Sequence, residues 1–128
     1  MAEDESPLGT VDVAVTSVYA ADLDAAIRWY EAALGLKPVS VGDDVHPHAA
    51  FQLGASLIVL EPISEAWEPA VPASENTTIT LLVRRDASEV REELLRRGVL
   101  CSDMVDSPQF SSFLLRDLDG NRFYFHHD

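Results

Sequence analysis

The alternation of polar and apolar positions changes period several times along the chain, and each change marks an element. "TVDVAVTSVY" (residues 10–19) is rich in Val and Thr and predicts a strand. "DLDAAIRWYEAALG" follows with a different period: Leu23, Ala26, Ile27, Tyr30 and Leu34 recur at steps of three and four and so share one helical face. Asp22 stands where a side chain can cap the first free amides, and Gly35 supplies the stop. Trp29, next to Tyr30, reads as a packing residue on the core side. Three strands are predicted next, around Lys37–Val41, Ala49–Leu53 and Ser56–Glu61, with Gly42 and Gly54 marking turns.

"PISEAWEPAVPASEN" (residues 62–76) holds three prolines and neither period, which makes it a connecting segment. Trp67 lies within it, either pinning that segment or facing a ligand. The earlier order then returns. "TTITLLV" predicts a strand, and "DASEVREELLRRG" a helix capped by Asp86, with Glu89 three residues on as a capping-box partner. Val90, Leu94 and Leu95 are its expected inward face, and Gly98 its end. Strands near Leu100–Val105, Ser111–Arg116 and Arg122–His127 complete the pattern, the last two joined by the tight turn "DLDGN". Asp22 and Asp86 are 64 residues apart, half the chain, and each begins a helix ended by Gly. Strand, helix and three strands therefore occur twice. A unit this small cannot bury both faces of its sheet alone, so the two copies are expected to pack together around a shared concavity.

Composition narrows the function classes. With 47% hydrophobic and 24% charged residues, the 128-residue chain can build one domain with a real core. No apolar run approaches the roughly 20 residues that cross a bilayer, and the acidic start "MAEDESPLG" lacks the order of a signal peptide. A cytoplasmic location is expected. The single cysteine, Cys101, fits a reducing compartment, offers no thiolate cluster and reads as a small packed side chain. A net charge of −13 disfavours nucleic acid and anionic membrane as partners. The same acidity either solubilises the surface or draws a cationic ligand into a groove.

The duplicated order, the helix segment "ADLDAAIRWYEAALGL" and the final "RDLDGNRFYF" together resemble the vicinal oxygen chelate superfamily, the glyoxalase, bleomycin-resistance and dioxygenase group. The resemblance covers about residues 10 to 127. It implies an α+β fold of two tandem βαβββ modules, over about 10–62 and 77–127 with a linker at 63–76, whose sheets curl around a ligand cup within a single domain of residues 1–128.

Enzymes of this superfamily usually hold a divalent metal with His, Gln or Glu from the first and fourth strands of each module. Carried over position by position, those places fall here on Val15, near Val59, on Thr78 or Ile79, and on Tyr124. Glu61, two residues beyond Val59 and on the same strand face, is the one real candidate ligand at these positions of the first module. Strand alternation puts Tyr124 and His126 on one face and Phe123, Phe125 and His127 on the other; the Phe pair belongs against the helices, which leaves His127 at the outer side in solvent. Two of four strands supply no donor, so the expectation is a cup with neither metal nor cofactor. An atypical metal site from His48, Glu61 and His126 is the irregular alternative.

Metal-free members include proteins that sequester antibiotics such as bleomycin, usually as dimers with the ligand between subunits. The resemblance thus implies a homodimeric small-molecule binder whose ligand is cationic or aromatic, lined by Val15, Val59, Glu61, Trp67, Thr78, Tyr124 and His126. The alternative class is an enzyme of the same fold. Glu61, Tyr124 or His126 could then move protons without a metal, or atypical ligands could support a metal-dependent lyase or dioxygenase. No Ser elbow, phosphate loop or paired-carboxylate motif points to other chemistry.

Overall fold

The computed structural model describes Pro7 and residues 15–45, 47–62 and 78–127. The first module runs β1 (Val15–Tyr19), α1 (Leu23–Leu34), β2 (Ser40–Val41), β3 (Ala49–Leu53) and β4 (Ser56–Glu61). The second runs β5 (Thr78–Leu82), α2 (Ala87–Arg96), β6 (Val105–Asp106), β7 (Ser111–Arg116) and β8 (Arg122–His127). Each module makes one four-stranded sheet, ordered β1-β4-β3-β2 and β5-β8-β7-β6. The first strand of each pairs in parallel with the last, and the other pairs are antiparallel. The expected α+β fold of two tandem modules is therefore the observed one.

Local chemistry sets the helix ends. Asp22 is extended, and its Oδ1 accepts the Ala25 amide at 3.1 Å, satisfying one of the free donors of the first turn. Gly35 sits at φ 70, where a side chain would crowd the backbone, and its amide and that of Leu36 close the last turn onto Glu31 and Tyr30. In the second module Asp86 caps through Ser88. The expected capping box is not formed: the Glu89 carboxylate lies 4.0 Å from Arg85 instead of returning to the Asp86 amide.

The core lies where the helices meet the inner faces of both sheets. Tyr30 is 1% exposed, stacks on Phe51 of β3 with ring centroids 5.1 Å apart, and meets Phe123 of β8 edge-on at 6.2 Å. Trp29 packs edge-on against Tyr30, as expected of it. Three expectations fail here. Leu95 is 41% exposed, because Val90 and Leu94 already fill the space above the sheet. The stretch Leu100–Val105 is no continuous strand: it reduces to a bridge from Cys101 to Leu115 and the two residues of β6, with Leu100 turned out to solvent. Likewise β2 is shorter than the Lys37–Val41 run, though the Val39 amide still bonds the Ala50 carbonyl. Cys101 is half-buried, which pushes its thiol pKa up and suits a packed, unreactive side chain.

The turn Asp117–Asn121 ties the modules together. Asp117 Oδ1 accepts the amides of Asp119 and Asn121, both at 2.9 Å. Its Oδ2 accepts the Tyr30 hydroxyl at 2.6 Å and the Asn121 amide group at 2.8 Å. Asn121 also donates to the Tyr19 carbonyl at 2.8 Å, and Asp119 Oδ1 accepts the Ala21 amide at 3.0 Å. One turn of the second module thus grips the end of β1 and the start of α1. Each such bond contributes about 1 kcal/mol net, more where a carboxylate is the acceptor.

Candidate functional site

Register decides which side chains leave the core. In β4, Ile58 and Leu60 are 3% and 0% exposed and point inward, so Leu57, Val59 and Glu61 take the opposite face. β1 pairs Val15 with Leu57, Ser17 with Val59 and Tyr19 with Glu61, which puts Val15, Val59 and Glu61 on one surface. On the other side of β4, the Ala49–Leu60 pair carried one step further brings His48 level with Glu61. His48 there contacts the Ser40 hydroxyl at 3.4 Å. Glu61 Oε2 is buried and accepts no hydrogen bond among the described residues. Leaving a carboxylate oxygen this way costs on the order of 1–3 kcal/mol, which a donor or cation supplied from outside the chain would offset.

The second module repeats the geometry with different chemistry. Phe123 and Phe125 turn inward at 1% and 7% exposure, while Tyr124 is 41% exposed on the far face. β5 pairs Thr78 with Arg122, Thr80 with Tyr124 and Leu82 with His126, so Thr78 and not Ile79 shares the surface of Tyr124 and His126. The His126 ring stacks on Phe110, centroids 5.0 Å apart and 24° from parallel. His127 shares the helix-side face of Phe123 and Phe125, away from Tyr124 and His126, as alternation expects. It is half-buried beside Asp86, not solvated, because pairing with Ser111 keeps the strand ordered to this residue.

Val15, Val59 and Glu61 therefore form one set, and Thr78, Tyr124 and His126 another. Among the described residues the two sheets share no hydrogen-bonded strand pair, and three cavities between the elements include no member of either set, although Thr80 and Leu82, paired with Tyr124 and His126, border one of them. Among the described residues no element covers either of the two sheet faces on which the sets lie. Trp67 lies outside the described residues. Tyr19, Leu82, Arg122 and Phe110 complete these surfaces without having been singled out from sequence. Alternation from Val15 and Tyr124 reaches the first three, whereas Phe110 sits in a connection with no period to betray it. A recess of about 470 Å³ at the start of α1, bordered by Asp22, Asp24, Asp43, Asp44 and Pro62, adds negative potential next to the strand that carries Glu61.

A divalent metal, which this fold often carries, does not fit these residues. Among the described residues no three His, Cys, Asp or Glu side chains gather within reach of one ion. Glu61 has an unpartnered oxygen and His48 lies level with it, but among the described residues no third carboxylate, imidazole or thiolate joins them, since Val15, Ser17 and Val59 fill the rest of that face.

The chain belongs to the Glyoxalase/Bleomycin resistance protein/Dioxygenase superfamily, whose family model matches residues 12–125. Solved structures share the fold at low identity. An antibiotic binding protein, TnmS3 of Streptomyces sp. CB03234, is 19% identical with a TM-score of 0.74, over 92% of this chain and 96% of that one. The hypothetical protein SA1046 of S. aureus is 18% identical with a TM-score of 0.74, over 94% and 96%. An integron cassette protein from the mobile metagenome of V. cholerae is 22% identical with a TM-score of 0.68, over 92% and 95%. None of the curated proteins matches the chain in sequence. Among the described residues no helix is long and apolar enough to cross a membrane.

Proposed function

We propose that this protein binds a small cationic, partly aromatic molecule without a metal and sequesters it rather than transforming it, an antibiotic being the favoured ligand class. The observation that carries the reading is the buried Oε2 of Glu61, which has no hydrogen-bond partner among the described residues. A ligand ammonium or guanidinium would supply the missing donor, and the acidic recess beside Pro62 would draw it in. Tyr124, Leu82 and the Phe110–His126 stack offer rings and apolar area for a planar partner. That TnmS3 binds an antibiotic on the same fold agrees with this class.

A homodimer is part of the reading. Val15, Leu82 and Tyr124 are 49%, 75% and 41% exposed on faces that no element of this chain covers among the described residues. A second copy would set the Glu61 face of one subunit against the Tyr124 face of the other and so close each cup. A cytoplasmic location, with Cys101 reduced, accords with the reading.

The test uses chelator-treated protein of confirmed metal content. Calorimetry and thermal shift against bleomycin-type and planar cationic antibiotics should give a saturable rise in midpoint, weaker at high salt, with the ligand mass unchanged afterwards. Turnover of the ligand, a metal requirement, or binding restricted to 2-oxo acids and catechols would sink the proposal.

A further inference from the structure

On the side away from the open faces, α1 and α2 leave a cavity of about 190 Å³ between the two modules. Its apolar wall draws on both halves of the chain: Leu34 and Leu53 from the first, Leu81 and Phe125 from the second. Its polar rim is Arg85, Glu93 and Arg97. The charge around it is unlike the rest of the molecule. Five of the nine basic residues fall within residues 84–97, with only four of the 22 acidic ones.

The rim is unevenly satisfied. Glu93 is held by Arg96 at 2.7 Å and Arg97 at 3.1 Å, so its charge is spent within the helix, and Arg97 also reaches the Ala32 carbonyl. Among the described residues Arg85 meets only Glu89, at 4.0 Å, and both side chains are more than 60% exposed. Such a pair contributes little and gives way readily to a better acceptor. We propose that this cavity is a second small-molecule site, which takes a carboxylic acid bearing one aromatic ring or a short branched chain.

Size and charge select that class. Apolar cavities near 150 Å³ accommodate a single benzene ring, so this volume admits a ligand built on one ring. A carboxylate on the ring would reach Arg85, whose planar guanidinium suits two parallel bonds to it. Elsewhere the net negative surface repels an anion, which confines weak binding to this site. A ligand of about ten heavy atoms should bind with Kd on the order of 0.1–1 mM. Because the wall spans both modules, occupancy should also raise the unfolding midpoint.

Phenylacetate titrated into the full chain, followed by two-dimensional amide NMR and thermal shift, tests this directly. Saturable shifts are expected at Leu34, Leu81 and Phe125, with none from acetate, which has no ring to seat. Arg85→Gln, at an exposed position, should weaken binding about tenfold by removing the charge-assisted pair while leaving the free protein's midpoint unchanged. Leu34→Trp, which fills the cavity, should abolish it. The proposal fails if saturation does not occur at ten times the expected Kd, if both variants bind as tightly as the parent, or if the shifts cluster at Leu82, Tyr124 and His126.

Discussion

The hydroxyl of Tyr30, in the first helix, donates to Oδ2 of Asp117, in the last turn, at 2.6 Å across 87 residues of chain. Both residues are buried, and the aspartate takes further bonds from Asp119 and Asn121. The helix motif and the Asp-Gly-Asn turn that mark this family in sequence are thus two halves of one contact. Its consequences can be measured.

Tyr30→Phe keeps the ring between Phe51 and Phe123 but deletes the donor, leaving Asp117 Oδ2 with the Asn121 amide alone. The loss should be about 1–3 kcal/mol in urea unfolding, with an unchanged dependence on denaturant.

The same pair fixes an alkaline limit. Burial, and then the Asp117 carboxylate, hold the Tyr30 phenol well above the usual tyrosine range. In the unfolded chain it ionises near pH 10, so above that pH the unfolded state binds fewer protons than the folded one and stability falls as pH rises. The contribution is complete below pH 10. Above it, the stability difference between the parent and Tyr30→Phe should shrink by about 1.4 kcal/mol per pH unit, the Phe variant lacking this ionisation.

Asn121→Ala removes bonds to the Tyr19 carbonyl and to Asp117, both between buried or half-buried groups. A loss of about 2 kcal/mol is expected, and combined with Tyr30→Phe it should be non-additive because both act on Asp117. Additive losses in the double-mutant cycle would show that the turn is not one unit.

Glu61 offers the opposite sign. Its buried oxygen has no partner among the described residues, so Glu61→Met should stabilise the ligand-free protein by about 1 kcal/mol while weakening a cationic ligand at least tenfold. Loss of both stability and binding would mean that the carboxylate supports the fold.

Tyr124 is 41% exposed and should be separable from stability altogether. Tyr124→Ala is expected to move the unfolding free energy by less than about 0.5 kcal/mol and to remove most aromatic-ligand affinity.

Much of this molecule is written locally. Alternation along Arg122–His127 sends Phe123 and Phe125 inward and Tyr124 outward, because a strand has only two faces and the bulky pair belongs in the core. Asp22 and Gly35 bound α1 through contacts within a few residues. Local signals fail where several apolar residues compete for the same space. Leu95 and Leu100 have the hydrophobicity of core residues, yet both are exposed because Leu94 and Val99 occupy the sites beside them.

By itself, then, the sequence determined the two repeated modules, the helix ends and the face on which each strand residue lies, since these depend on backbone periods of two and 3.6 residues. Only the tertiary structure decided that Tyr30 meets Asp117, that Phe110 covers His126, and that Glu61 and Tyr124 lie on separate open faces. Such contacts join segments tens of residues apart, and no local period encodes which distant surfaces meet.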